Sequence, residues 1–209
     1  MAKSERQKLK LLYIIQCLME KTDEEHAVTT QEIIDYLALQ GITAERKSIY
    51  TDIDLLTDFG MDIIKKPGRS GGYTLASRQF ELAELKLLVD AVQSSKFITT
   101  KKSRELIGKL ETLCSKYEAG QLHRQVVVTN RNKTVNENIY YNVDIIYNAI
   151  AENVKIQFQY FEWDVNKEMH RRRNGKVYEV SPWLLTWDDE NYYLIAYDDR
   201  SRDIRHYRV

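Results

Sequence analysis

The stretch from Glu45 to Leu75, ERKSIYTDIDLLTDFGMDIIKKPGRSGGYTL, changes its periodicity twice. Its first part is helical, because Ile53 and Leu56 fall within about 40° of Ile49 on a helical wheel. Gly60 ends this pattern, and two short alternating segments then flank the turn-rich loop PGRSGG. A helix followed at once by a tight two-stranded hairpin is therefore the feature that most restricts the fold.

Two more helices are predicted before this stretch. Apolar residues at helical spacing mark the first, and Thr29 with Glu32 forms a capping box that starts the second. Thr43 is the expected N-cap of the third. Three helices followed by a hairpin is the order of a winged helix-turn-helix, which we predict for residues 1–77, with a recognition helix over 43–59 and a wing over 61–76.

The exposed face of the predicted recognition helix carries small, polar and basic side chains. Such a face suits the major groove of DNA, and a hairpin tip beside it can reach phosphates or the minor groove. The residues that we predict to contact DNA are Arg46, Lys47, Ser48, Tyr50, Thr51, Arg69 and Ser70. The alternative for this helix alone is an ordinary solvated face.

Charge gives this prediction little support. The whole chain has 31 basic and 31 acidic residues, and residues 1–77 contain 10 Lys and Arg against 12 Asp and Glu, a net charge of −2. Any DNA binding must therefore use a local patch.

Cys17 and Cys114 are widely spaced in apolar helical patterns, which indicates buried reduced thiols. The sequence shows no signal peptide and no apolar run of about 20 residues, so we expect a soluble, cytoplasmic protein.

The remaining sequence divides into a helical and a β-rich part. Amphipathic helices are predicted over 81–97 and 101–117, with Gly120 ending the pair, so residues 78–138 are interpreted as a helical linker with dimer contacts. Residues 139–209 begin with a helix and then alternate with a period of two, which favours a small antiparallel barrel or a bent sheet. The predicted fold class is α+β.

Aromatic and basic residues of the β-rich part could bind a ligand. Tyrosine rings offer flat faces for a base, and arginines can hold a phosphate or carboxylate. The candidate ligand-binding residues are Tyr192, Tyr193, Tyr197, Arg205, His206 and Arg208. Aromatic residues on short strands are more often barrel core, and the basic run at 170–176, HRRRNGK, is better explained as a solvated hairpin than as an anion site.

The recognition-helix stretch resembles the third helix of bacterial helix-turn-helix regulators that carry a WYL domain, of the DeoR/YafY type. It matches their pattern at Ile49, Tyr50, Asp52, Ile53 and Leu56. Thr51 stands where these regulators commonly have arginine. The resemblance implies a direct DNA contact at this position, which Thr51 would make without a phosphate-neutralising charge.

The C-terminal stretch SPWLLTWDDENYYLIAYDDRSRDIRHYRV resembles a WYL domain. Pro182 and Leu185 match the start of its central strand, the run 192–194 occupies the naming tripeptide, and 205–208 matches its terminal strand. The resemblance implies a small Sm-like, SH3-type barrel that senses a ligand, often a nucleotide or nucleic acid. It also implies that the domain is shortened at its C-terminal end, because Val209 falls inside the last strand-like segment.

Catalytic motifs are missing from the sequence. The four histidines, at 26, 123, 170 and 206, have no metal-ligand spacing, and the run Asp58-Phe59-Gly60 lacks the other motifs of a kinase. We therefore predict no enzyme activity, metal or cofactor.

The prediction is a ligand-responsive, homodimeric transcription regulator. Its expected partners are a double-stranded DNA operator and a small anionic or nucleotide-like ligand. The alternative is an accessory protein that binds RNA or single-stranded DNA through its β domain.

Overall fold

The computed structural model describes residues 6–68, 71–122, 133–134, 136–166 and 168–209. The chain divides into two compact units. One comprises residues 1–94 and 103–129, and the other comprises residues 95–102 and 130–209. The predicted three-part division into 1–77, 78–138 and 139–209 stays a prediction. No helix in the described ranges is long and apolar enough to cross a membrane.

Three helices and a hairpin form the first part of the chain. They are α1 (Lys10–Lys21), α2 (Thr30–Leu39), α3 (Arg46–Asp58), β1 (Ile63–Lys65) and β2 (Tyr73–Leu75). Each helix contributes one apolar stripe to a common core, because its buried residues recur at helical spacing. The fully buried members of this core are Ile14, Cys17, Leu18, Ile33, Leu37, Ile42 and Ile49.

The predicted capping box at the start of α2 is confirmed. The backbone N–H of Glu32 donates to Thr29 Oγ1 at 3.2 Å, and the Glu32 carboxylate accepts from the backbone N–H of Thr29 at 2.7 Å. The helix ends at Leu39 with Gln40 as its C-cap, and Gly41, predicted as the stop, follows with φ +73°. Ile42 N–H reaches back to Leu37 O at 2.9 Å, which completes a Schellman motif.

The prediction that Thr43 caps α3 is wrong. The helix begins at Arg46, and its N-cap is Glu45, which makes no side-chain capping bond. Ile42 is buried and already belongs to the C-terminal cap of α2, so the chain needs several extended residues before it can turn again. The helix ends as predicted, with Gly60 at φ +107°.

The β1–β2 hairpin is confirmed, with Ile64 opposite Thr74 in an antiparallel register. It is attached to the loop before α2, because Val28 and Tyr73 exchange two backbone hydrogen bonds of 3.0 and 2.8 Å. Gly72 allows this approach, since a Cβ there would lie 2.4 Å from the Val28 carbonyl oxygen. The hairpin therefore has a fixed position beside the three helices.

Three more helices follow, α4 (Leu82–Ser94), α5 (Thr100–Glu111) and α6 (Lys116–Leu122). The single helix predicted over 101–117 is wrong, and Gly120 lies inside α6. The reason is a second capping box, in which Ser115 Oγ accepts from Glu118 N–H and the Glu118 carboxylate accepts from Ser115 N–H, both at 3.1 Å.

The carboxylate of Asp23 joins α6 to the loop after α1. It accepts from Ser115 Oγ at 2.5 Å, from His26 Nδ1 at 2.7 Å and from two backbone N–H groups. Burial alone would raise the pKa of Asp23, but the hydrogen bonds from Ser115 and His26 outweigh it and hold this pKa below its ordinary value. The His26 ring also stacks on Tyr117, with centroids 3.7 Å apart.

Among its described residues, the other unit contains α7 (Ile139–Ala151) and six strands. These are β3 (Ile156–Gln159), β4 (Phe161–Trp163), β5 (Met169–Arg171), β6 (Val177–Asp188), β7 (Asn191–Asp198) and β8 (Asp203–Arg208). Four of them form an antiparallel sheet in the order β3-β6-β7-β8, and β4 pairs with β5 separately. Helix α7 places Ile146 against one face of the larger sheet.

A closed barrel, as predicted for residues 139–209, is not found. In the described part of the chain β3 and β8 are edge strands that do not pair with each other. Period-two alternation specifies strands with one buried face, but it does not specify whether the edge strands meet.

Cys17 and Cys114 are buried thiols, as predicted, and burial raises the pKa of each to about 11.

Candidate nucleic-acid interface

Helix α3 has one buried and one exposed face. Ile49, Ile53 and Leu56 are buried in the core, whereas Arg46, Lys47 and Thr51 are exposed. The three exposed side chains occupy the first two turns of the helix, and the Thr51 hydroxyl donates to Lys47 O at 3.3 Å. The leading end of α3 thus presents two cations and one hydroxyl to solvent.

A buried ion pair fixes α3 to α1. Lys10 Nζ lies 2.7 Å from Asp52 Oδ2, and the two side chains are only 14% and 10% exposed. The same ammonium group donates to Ser48 Oγ at 2.6 Å. Ser48, a predicted DNA contact, is therefore half-buried and bound to α1, so its first role is to position the helix.

Tyr50 and the hairpin complete this surface. The Tyr50 ring is 42% exposed, and Lys65 Nζ of β1 lies 5.8 Å from its centroid. The predicted contacts Arg69 and Ser70 lie outside the described residues. The five described DNA-contact candidates thus come from a single helix, and four of them are exposed.

The four-stranded sheet has a buried face and an outer face. Leu194, Ala196 and Tyr207 point toward α7 and are buried. The side chains that alternate with these along each strand form the outer face. Directly paired residues of neighbouring strands lie on the same side of a sheet, so the strand register assigns the members of this face. This outer face includes Trp183, Leu184, Tyr193, Ile195, Tyr197, Ile204, His206 and Arg208.

Four of the six predicted ligand-binding residues lie on the outer face. Tyr193 is paired with Arg208, while Tyr197 and His206 lie further along the same two strands. All four are exposed or half-buried. Arg208 is held in place by a hydrogen bond of 2.7 Å to Asn191 Oδ1.

The other two predicted residues point to the opposite side. Tyr192 packs edge-on against Trp187 and Phe97, with centroids 4.6 and 4.9 Å away, and burial raises its pKa. Arg205 lies opposite Ala196 and contacts Ser201 Oγ and Asp203 at the nearby turn. The structure therefore divides the predicted set into an outer-face group and two residues that do not join it.

Trp183 belongs to the outer face and was not predicted. It stacks on Tyr197 with centroids 6.2 Å apart and ring planes 8° apart, and it is 52% exposed. It lies two residues after Ser181, which pairs with Tyr197 on the same face, and a register shift between Pro182 and Leu184 follows it. Period-two counting from Ser181 therefore places Trp183 correctly and misplaces Leu184 and the residues after it.

Comparisons with known proteins identify part of the chain. Residues 141–209 match the family model of the WYL domain, so this segment is a WYL domain, as predicted. Among solved structures, the chain is similar to proteasome accessory factor B/C (PafBC) of Arthrobacter aurescens, with 17% identity and a TM-score of 0.27. That match covers 95% of this chain and 31% of the other, so this chain spans about a third of it. No curated protein matches the chain. The DeoR/YafY subtype stays a prediction.

Proposed function

We propose that the chain is a ligand-responsive, DNA-binding transcription regulator without enzyme activity. The three helices and hairpin act as a winged helix-turn-helix. Helix α3 enters the major groove, and the β1–β2 hairpin contacts the backbone or the minor groove. The WYL domain senses an anionic, nucleotide-like ligand.

The orientation of α3 is the observation that carries this proposal. Its apolar stripe and the Lys10–Asp52 ion pair fix the helix from behind, so that Arg46 and Lys47 point outward from its first turns. N-terminal residues of a recognition helix are those that meet base edges and phosphates. A local cationic patch of this kind overcomes the weak negative balance of residues 1–77.

The outer face of the sheet is the proposed sensor. Trp183 and Tyr197 supply stacked aromatic rings at one end, while Tyr193 and Arg208 lie side by side across β7 and β8 at the other. Aromatic faces hold a base and an arginine holds a phosphate. A ligand that binds one arrangement of the protein better than another shifts the DNA-competent population.

A homodimer would double the reading surface. Leu87 and Leu88 of α4 are 70% and 39% exposed, and they suit contacts with a second copy. A dimer reads two half-sites and so gains specificity that one helix lacks.

The stacked Trp183–Tyr197 pair also favours a second candidate function. An aromatic sheet face that is half-exposed can hold successive bases of a single strand without an operator. In that case the chain is an accessory protein for RNA or single-stranded DNA, and its N-terminal helices contact proteins.

Selection from a random duplex library tests the proposal. We expect one sequence to be enriched and Lys47→Ala to weaken its binding about fivefold or more, because a contact at the groove is worth about 1–3 kcal/mol. Lys109→Ala, an exposed lysine on α5, is the matched control and should leave affinity unchanged. If no duplex is enriched and single strands bind in a manner that Trp183→Ala abolishes, the second function is correct.

A further inference from the structure

The β4–β5 hairpin collects metal-ligating side chains on one side. Asp164, Glu168 and His170 each offer one ligand atom, and these atoms all lie within 4.8 Å of one another. In this short hairpin Trp163 pairs with Met169. Asp164, Glu168 and His170 are separated from one another by even numbers of residues, so the alternation of the strands places them on the same side. The histidine spacing considered alone misses this group, because carboxylates supply two of its three ligands.

The two distances from His170 fit a single ion. His170 Nε2 lies 3.2 Å from Asp164 Oδ2 and 3.6 Å from Glu168 Oε2. Ligands at the usual Zn–N and Zn–O distances of about 2.1 Å are separated by about 3.4 Å when the coordination is tetrahedral. The two separations from His170 are therefore close to those around one ion, whereas the third, between Asp164 and Glu168, is at most 4.8 Å and would have to close by up to about 1.4 Å through rotation of the exposed Glu168 side chain.

The backbone of the loop orients Asp164 for this role. Its Oδ1 accepts from the backbone N–H groups of Asn166 and Glu168 at 2.9 and 2.8 Å, and its own N–H donates to Glu168 O at 2.9 Å. These bonds occupy one carboxylate oxygen and leave the other directed at His170. They are also the kind of outer contact that fixes a metal-ligating carboxylate.

The neighbouring carboxylate is already used. Glu162 lies opposite His170 in the hairpin, but its Oε2 is 3.3 Å from Arg172 Nε. The arginine thus pairs with Glu162, whereas among the described residues Asp164 and Glu168 share the imidazole of His170. A divalent cation would balance this charge and replace a weak, exposed ion cluster by three coordinate bonds.

We propose that Asp164, Glu168 and His170 form a binding site for a divalent transition-metal ion of the Zn²⁺ class. A ligand set of one imidazole and two carboxylates excludes a purely oxygen-liganded Mg²⁺ or Ca²⁺ site. His170 binds through Nε2 as the neutral tautomer with its proton on Nδ1, and the open positions hold water. The ion fixes the β4–β5 hairpin, and this role is independent of the function proposed above.

Calorimetric titration of the full chain with Zn²⁺ in a non-chelating buffer tests the site. We expect one ion per chain and a loss of affinity of at least tenfold in His170→Ala. Glu168→Gln should also weaken binding, and it keeps the hairpin intact because this side chain is 71% exposed. His206→Ala removes an exposed histidine from the outer face and is the matched control.

Hydrogen exchange provides a second measurement on the same variants. Zn²⁺ should slow exchange of the amides between Phe161 and Arg171 in the wild type and in His206→Ala, but not in His170→Ala. Absence of a one-to-one binding event would overturn the proposal. Binding that His170→Ala leaves unchanged, or that His206→Ala abolishes, would overturn it equally.

Discussion

The ion pair between Lys10 and Asp52 makes a quantitative prediction about the position of α3. The two groups lie 2.7 Å apart and are almost fully buried. At an effective dielectric constant of about 20 their attraction is about 6 kcal/mol, and desolvation of the two ions offsets most of it. Lys10→Met removes the attraction and leaves the Asp52 carboxylate buried without its cation. We expect the free energy of unfolding to fall by about 3 kcal/mol, at the lower end of what breaking a buried pair costs.

Urea unfolding followed by far-ultraviolet circular dichroism measures this change. Tryptophan fluorescence would not, because all three tryptophans lie at 163 or beyond. The control is Lys101→Met, which breaks an ion pair of 3.1 Å with Glu137 whose side chains are 69% and 53% exposed. A pair exposed to this degree contributes about 0.5 kcal/mol or less.

The double variant Lys10→Met/Asp52→Leu separates pairing from packing. Replacing both charges by apolar groups of similar size should restore most of the lost stability, since the penalty comes from the single unpaired charge. If Lys10→Met costs no more than Lys101→Met, or if the double variant is less stable than Lys10→Met, the ion pair does not hold α3.

Three further predictions concern single positions. Gly72→Ala should destabilise the fold by about 2 kcal/mol, because the added Cβ would collide with the Val28 carbonyl. Gly108→Ala should instead stabilise the fold by about 0.5–1 kcal/mol, because the space around its Cβ in α5 is open. The urea midpoints of the two variants test both predictions. Thr51→Arg should strengthen duplex binding and steepen its salt dependence, and an unchanged slope in titrations would place residue 51 away from phosphates. The pKa of the Asp23 carboxyl is lower in the folded than in the unfolded protein. Its ionised form therefore stabilises the fold at pH values above the unfolded-state pKa of about 3.9, and this stability is lost as the pH falls through the folded-state pKa. Stability against pH for Asp23→Asn should lack this acid-side decline, and retention of the whole decline would assign it to other groups.

Local sequence patterns predicted much of the fold. The capping box of Thr29, the glycine at 60 and the alternation around PGRSGG depend on residues close in sequence, and all three features are present. The start of α3 was missed because Ile42 is already part of the C-terminal cap of α2. The break before α6 was missed because the capping box of Ser115 and Glu118 lies inside an apolar pattern that continues across it. Closure of the sheet into a barrel was mispredicted because it requires two edge strands that are far apart in sequence to pair with each other.

The candidate sites were less predictable than the fold. Alternation alone placed His206 and Arg208 on one face, and the strand register agrees. Trp183 was missed although alternation from Ser181 places it on the outer face, and the bulge reverses the alternation only from Leu184 onward. The Lys10–Asp52 contact joins two helices across many residues, and no local pattern in either helix encodes it.

The salt dependence of duplex affinity is the most direct test of DNA recognition by α3. The logarithm of the binding constant should fall linearly with the logarithm of salt concentration for the wild type on its selected duplex. In Lys47→Ala the slope should decrease by about 1, as expected when one phosphate contact is lost, while Lys109→Ala keeps the wild-type slope. Equal slopes for the wild type and Lys47→Ala, with equal affinities at every salt concentration, would contradict the assignment of α3 as the DNA-reading helix.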